Sequence, residues 1–485
     1  MSKPVVDRHF INPDIEYYDG SEQKKHTLPS IINEINYWKI LLHEGYGLRK
    51  GDIISLFDNS IRLSYTTLFI AAAELGLIMI MAPDKASSED GRTSRMDQML
   101  NGKKIDLILI DDSAASVPPI LAMARYYSKR LAFKDEYNSY SIKDHDLYTY
   151  LDQTTFCEPD DVLVIATSSG TTGTPKMISY THQNLYKISV RNAEVYGFRD
   201  ANVCHTRNLH HAFVLVASFL PTLYAAKRHY TNVVDTFSPQ SVADFVRDVI
   251  AHKVSKLVLP YKQAVDSLLD HLIDNNQKFE HDIDLYAGGF YITPDYINKI
   301  KDANVRSIGG AFGSNETSGP LFMKILTQDT DVDSFVVNNI GFPPDNFFDL
   351  QLEGEQLHVS CAALYPETYT MGDAFYKDPD GSYRSLGRMN HYRINDIDFS
   401  VLSVTAVVKE HCAGQFDIVI DMEYQRIYLV LWEGTVDLEQ LNESMVKEFG
   451  RLEISAVKTL DPVTFSQDFK VDFDIIREIF RKDIK

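Results

Sequence analysis

The chain has 485 residues, 44% hydrophobic and 24% charged, a globular composition too long for one ordinary core, so two or more domains are expected. A formal net charge of −20 argues against non-specific attachment to nucleic acid or to an anionic membrane. Four scattered cysteines (Cys157, Cys204, Cys361, Cys412) show no metal-ligand spacing and no disulfide framework. No apolar signal core follows Met1, and the longest apolar run contains Glu74 and is too short to span a bilayer, so a soluble, cytoplasmic protein is expected.

In chain order, residues up to Lys25 read as a loosely organised lead-in. The spacing of Ile31, Ile32, Ile35, Trp38, Leu41 and Leu42 predicts a helix over 28–43. Residues 53–57 read as a buried strand, 65–77 as an apolar helix closing at Gly76, and 78–81 and 107–110 as further strands. Strands alternating with helices predict a mainly parallel α/β sheet. The run 162–167 is again a buried strand, and it changes abruptly into Ser168, Ser169, Gly170, Thr171, Thr172, Gly173, Thr174, Pro175 and Lys176. Glycines there let the backbone approach a ligand, hydroxyls and N–H groups can wrap a phosphate, and Lys176 adds positive charge. Thr181 is the expected N-cap of the helix that follows.

A P-loop requires G-x-x-x-x-G-K-[ST], but Thr174 and Pro175 separate Gly173 from Lys176, so that reading fails. A hydroxyl-rich surface turn is the bland alternative. The stretch 168–176 resembles the phosphate-binding loop T-S-G-T-T-G-x-P-K of the adenylate-forming superfamily, which holds acyl- and aryl-CoA synthetases, peptide-synthetase adenylation domains and luciferases. One departure is Met177, where a glycine usually follows the lysine.

The resemblance continues downstream. Adjacent His210 and His211 lack nearby carboxylate or cysteine partners for a metal. They resemble the superfamily's P-L-x-H segment, which implies that His211 borders the carboxylate substrate. Ala212, Phe213 and Val214 stand where amino-acid-activating relatives carry an acid; an apolar neighbourhood cannot stabilise an ammonium, which disfavours an α-amino acid and favours an aryl or acyl carboxylate. Gly288 and Gly289, then Phe312, Gly313, Asn315 and Glu316, read as two glycine turns after strands, and together they resemble the G-G-A-P and Y-G-x-T-E segments. This implies that Phe312 stacks on adenine, Glu316 binds magnesium, and Asn315 donates to phosphate or carboxylate through its amide. Asp373 and Arg388 fall in segments resembling T-G-D and G-R-x-x-D, which implies a ribose diol held by Asp373 and a ribose–phosphate contact from Arg388.

Past Arg388 the superfamily's hinge acid falls on His391, placing a domain boundary near Met389. The last hundred or so residues read as a small α+β unit, with a hairpin at 418–432 and an amphipathic helix at 438–449. Its tail resembles P-x-T-x-S-G-K with two extra residues, which aligns Lys470 with the mobile catalytic lysine.

The expected architecture is therefore α/β: a large N-terminal domain of mainly parallel sheets with helices, 1–388, and a small mobile C-terminal domain, 389–485. The resemblance implies activation of a small-molecule carboxylic acid by ATP and Mg2+, with Lys470, His211 and Glu316 as catalytic residues. It implies transfer to a thiol, coenzyme A or the phosphopantetheine of a free-standing acyl carrier protein. The alternative is a non-catalytic nucleotide or acyl binder, for which Met177, Asn315, His391 and the altered tail speak.

Overall fold

The computed structural model describes residues 4–19, 24–57, 63–81, 96–97, 100–116, 118–138, 156–167, 177–205, 214–231, 239–259, 262–288, 292–331, 339–364, 367–388, 391–394, 397–412, 414, 416–421, 424–432, 434–460 and 473–483. They group into two compact units, a larger one from residues up to 349 with 360–369, and a smaller one from 350–359 with 370–485.

The larger unit contains two sheets. In the six-stranded sheet the order is Leu131–Phe133, Leu107–Ile110, Ile53–Phe57, Ile78–Ile80, Val162–Thr167 and Met177–Thr181. All pairings are parallel except the last, where Met177–Thr181 returns antiparallel to Val162–Thr167. Strands Ile53–Phe57 and Leu107–Ile110 are buried at every position, which is why they read as unbroken apolar runs instead of alternating ones. The eight-stranded sheet runs Gly319–Thr327, Ser307–Ser314, Asp284–Gly288, Lys256–Leu259, Asn202–His205, Arg228–Thr231, Glu16–Asp19 and Lys24–Thr27. It is parallel inside and antiparallel at its two edge pairings.

Helices cover the sheets through their apolar stripes. Val242, Phe245, Val246 and Val249 of Pro239–Ala251, and Leu268, Leu269 and Leu272 of Lys262–Asp274, pack with Leu257, Leu285 and Ile308. Each such fully buried side chain contributes roughly 1.5–3 kcal/mol. Helix Leu63–Glu74 is buried at 11 of its positions, as expected for a helix apolar on all sides.

Two expectations need correction. The N-terminal lead-in is built into the fold instead of being loosely organised. Asp7 accepts from the backbone N–H groups of His9 and Phe10, capping the turn Arg8–Phe10. The Val6 N–H donates to His182 Nδ1 at 3.2 Å. Arg8 donates to both oxygens of Glu74, and Lys39 Nζ joins them 2.7 Å from Oε2, with the Lys39 and Glu74 side chains fully buried. Burial alone would raise the Glu74 carboxyl, but the two cations hold it below its usual value. The second correction concerns residues 311–314, which continue the strand Ser307–Ser314 and form no glycine turn. The glycines of this strand serve close packing: a Cβ on Gly309 would sit 2.8 Å from the Tyr286 ring, one on Gly310 2.7 Å from Ile292 Cγ1, and one on Gly313 2.2 Å from the Gly319 carbonyl oxygen.

In the smaller unit, Tyr383–Arg388, Thr368–Lys377, Gln356–Ser360 and Asp349–Glu353 are successive neighbours in one sheet. The turn between the first two carries Gly381 at φ +91, as the Asp-Pro-Asp-Gly signal predicts. A short hairpin, His391–Ile394 with Ile397–Ser400, follows. The expected hairpin is Phe416–Asp421 with Arg426–Leu431, to which Ile454–Thr459 adds in parallel. Helix Leu438–Phe449 packs Leu441 and Met445 against this sheet. Among the described residues, no helix is long and apolar enough to cross a membrane.

Candidate functional site

In an open parallel sheet, ligands bind beyond the carboxyl ends of the strands. The eight-stranded sheet places its sequence-predicted residues there. Asp284 fixes the amino ends of three neighbouring strands: Lys256 Nζ lies 2.6 Å and Ser307 Oγ 2.7 Å away, and Arg306 Nε donates at 2.8 Å. Burial would raise the Asp284 carboxyl, but these donors hold it at about 2. At the opposite ends, Gly288 pairs directly with Ala311, so the two glycine segments lie on adjacent parallel strands. Half-buried Phe312 follows, its ring centroid 6.3 Å from that of Phe322.

Beyond Phe312 the strand kinks at a bulge between Phe312 and Gly313 and turns back through residues 315–318 into Gly319–Thr327. The turn is closed by its own hydrogen bonds. Ser314 N–H donates to Thr317 Oγ1 at 3.0 Å, and Ser318 N–H to the Ser314 carbonyl at 3.1 Å. Glu316 sits half-buried at its tip. Among the described residues no cluster of three His, Cys, Asp or Glu forms a metal cage. A lone carboxylate suits magnesium, which keeps several waters and takes one or two carboxylates plus substrate phosphates.

The other sheet arrives at the same turn. Strand Val162–Thr167 pairs with Met177–Thr181 so that Thr167 and Met177 are partners. Residues Ser168, Ser169, Gly170, Thr171, Thr172, Gly173 and Lys176 lie between these partners, outside the described residues. Past them, Tyr180 donates its hydroxyl to the Asn315 carbonyl at 2.8 Å. Thr181 caps the helix His182–Val195 by accepting from Asn184 N–H, as expected. On that helix, buried Asn192 donates to the carbonyls of Val216 and Ser318. Sequence reasoning missed Tyr180 and Asn192; nothing local marks an aromatic in a strand or an asparagine in a helix as holding a turn more than a hundred residues away.

In the smaller unit, Asp373 and Arg388 are direct partners across the antiparallel pair Thr368–Lys377 and Tyr383–Arg388. The two residues read as ribose contacts thus share one register position. His391 opens the following hairpin opposite Ser400. His211, Gly289 and Lys470 lie outside the described residues.

A family model described as AMP-binding enzyme matches residues 40–351. The 4-hydroxybutyrate–CoA ligase 1 of Metallosphaera sedula is 21% identical over 467 residues, covering 82% of this chain and 74% of that protein. ATP-bound MatB from Rhodopseudomonas palustris matches over 100% of both chains with a TM-score of 0.72 at 14% identity. The AMP complex of O-succinylbenzoate coenzyme A synthetase from Bacillus subtilis gives 0.70 at 17% identity, over 97% of this chain and 95% of that one. These solved structures share the fold: large parallel sheets with helices, and a smaller C-terminal domain.

Proposed function

Starting from a chain that belongs to the AMP-binding enzyme family, we propose that it activates a carboxylic acid with ATP, giving an acyl-adenylate and pyrophosphate, and then passes the acyl group to a thiol. The observation that carries this reading is the meeting of the two sheets at the Glu316 turn. There Tyr180, four residues past Lys176, bonds to Asn315. That contact brings the turn of the magnesium carboxylate to the strand leaving the phosphate loop.

In this mechanism the hydroxyls and N–H groups of residues 168–176, with Lys176, hold the β- and γ-phosphates. Phe312 offers a π-face to adenine on the strand next to that of Gly288, and Gly313 lets the strand close behind it. Asp373 accepts from the ribose hydroxyls and Arg388 supports ribose and phosphate. Glu316 is the protein ligand for magnesium, which, when bound, neutralises phosphate charge. The substrate carboxylate attacks the α-phosphorus in line, its orientation bordered by His211. Lys470, on a mobile domain that begins at Met389 and pivots near His391, neutralises charge between carboxylate and α-phosphate. Asn315 donates to the same oxygens. Positioning and charge neutralisation supply most of the rate in such a displacement.

Ala212, Phe213 and Val214 favour an aryl or acyl acid over an α-amino acid. The likeness to CoA ligases favours coenzyme A as acceptor over carrier-bound phosphopantetheine. A second reading, a binder without turnover, is favoured by Met177, which is 52% exposed at the loop exit where the superfamily has glycine.

The test is acid-dependent ATP–pyrophosphate exchange with Mg2+ across aryl, short-chain, long-chain and amino acids. Exchange with one class supports adenylation and identifies the substrate class. Silence across the panel, with ATP binding still measured by calorimetry, supports the binder.

A further inference from the structure

The Glu316 turn is held at both flanks by one segment of chain. On one side, Tyr180, 3% exposed, donates its hydroxyl to the Asn315 carbonyl at 2.8 Å. That carbonyl also accepts from Ser318 N–H and Ser318 Oγ, each at 3.2 Å, both longer than the phenol's contact. On the other side, Asn192, fully buried, donates Nδ2 to the Ser318 carbonyl at 3.1 Å. Glycine at 319 is what lets it approach, since a Cβ there would lie 2.7 Å from Asn192 Oδ1. Tyr180 and Asn192 belong to the strand and helix that follow residues 168–176. Glu316 lies between the two held carbonyls.

The turn gains from such holding. Ser318 adopts φ +56, a left-handed conformation that a non-glycine residue takes at a cost. Burial, reinforced by the charge of Glu316 and partly offset by the Ser318 hydroxyl, pushes the Tyr180 phenol above its ordinary value, so it remains a donor at physiological pH.

We propose that Tyr180 is a positioning residue for the metal carboxylate: its hydroxyl fixes the Glu316 turn against the strand Met177–Thr181, setting where that carboxylate stands for a bound magnesium. The inference rests on the proposed adenylation. Magnesium demands near-ideal coordination geometry, so a carboxylate that would hold it, here Glu316, would tolerate little variation in position. A hydroxyl pinning the turn from the loop side is therefore read out in metal use before nucleotide affinity.

The experiment compares wild type, Tyr180→Phe and Tyr196→Phe. Tyr196 serves as the control because its buried hydroxyl has no hydrogen-bond partner among the described residues. Pyrophosphate exchange is measured against free Mg2+, hydrogen exchange is followed in peptides covering 314–320, and thermal unfolding is recorded. Loss of one hydrogen bond predicts about a fivefold rise in half-saturating Mg2+ for Tyr180→Phe. The KM for ATP at saturating metal should stay unchanged, and the turn amides should exchange about fivefold faster. Tyr196→Phe should move neither readout.

An active Tyr180→Phe with wild-type Mg2+ dependence overturns the proposal. So does a uniform loss of activity and thermal stability with no change in metal dependence, which marks a merely structural role. A wild type silent in exchange refutes the proposed function instead. The hydrogen exchange then decides the clamp by itself: faster turn exchange in Tyr180→Phe upholds it, and unchanged exchange removes it.

Discussion

Replacing Gly313 by alanine tests how tightly the turn is built. A Cβ at 313 would lie 2.2 Å from the Gly319 carbonyl oxygen, 3.2 Å from its carbon and 3.4 Å from Thr317 Oγ1. That oxygen distance is about 1 Å or more inside ordinary contact. The obstacle is backbone on the paired strand, so no rotamer change relieves it. The pair Gly313↔Pro320 must part just beyond the bulge. Overpacking of this kind costs roughly 1–3 kcal/mol. Parting the strands also strains the Thr317 Oγ1 bond to the Gly319 carbonyl at 3.2 Å, worth about 1 kcal/mol. The sum is about 3 kcal/mol, measured as a shift in the urea transition, with pyrophosphate exchange falling alongside because Phe312 and Glu316 flank the site. Gly354→Ala is the reference. Its φ is +62 with nothing within 4 Å of the added carbon, so only the left-handed penalty of about 1 kcal/mol applies. Should Gly313→Ala cost no more than Gly354→Ala, the close approach of the strands is wrong.

Glu74→Gln leaves Arg8 and Lys39 buried without their carboxylate, and the loss is expected at about 3–5 kcal/mol by urea unfolding; a loss under about 1 kcal/mol would contradict the ion cluster. Burial depresses the His182 imidazole to about 4, below its ordinary value near 6.5. Its folded pKa lies below the unfolded one, so its contribution is complete above pH 6.5 and is lost as the pH falls toward 4. Stability should drop by about 2 kcal/mol between pH 7 and pH 5 from this group, and His182→Gln should flatten that slope. Lys470→Ala should depress adenylate formation while sparing ATP binding by calorimetry; a wild-type adenylation rate in this variant would show that the tail alignment is wrong.

What the sequence displays well is local and periodic. Ile53–Phe57 and Leu107–Ile110 announce themselves as unbroken apolar runs because both their faces are covered. Asp-Pro-Asp-Gly announces the turn at 378–381 that pairs the strands of Asp373 and Arg388, whereas the bulge between Ala374 and Phe375 that shifts the register by one and sets those two opposite each other has no such signal. What it hides is long-range. Arg8 and Glu74 are 66 positions apart, so nothing local marks the lead-in as anchored. Tyr180 finds a carbonyl 135 positions away. The glycine at 313 misleads for another reason. A glycine that makes room for a neighbouring ring or carbonyl is indistinguishable in sequence from one that turns the chain, and here the first use is the real one.

The strand Glu16–Asp19 pairs in parallel with Arg228–Thr231, and Glu16 and Arg228 are 212 positions apart. During synthesis at roughly 5–20 residues per second, the first strand therefore waits about 10–40 s for its partner. Throughout that interval Tyr17, with no exposure in the finished fold, has only the hairpin with Lys24–Thr27 to enter. The larger sheet cannot be completed from its amino end, so the nascent chain must carry a strand paired on one edge alone until its middle has emerged. A chaperone able to shield a short aromatic segment near the start of the polypeptide has its longest opportunity here. A fusion that delays release of residues 202–231 would extend that exposure without touching a single residue of the site.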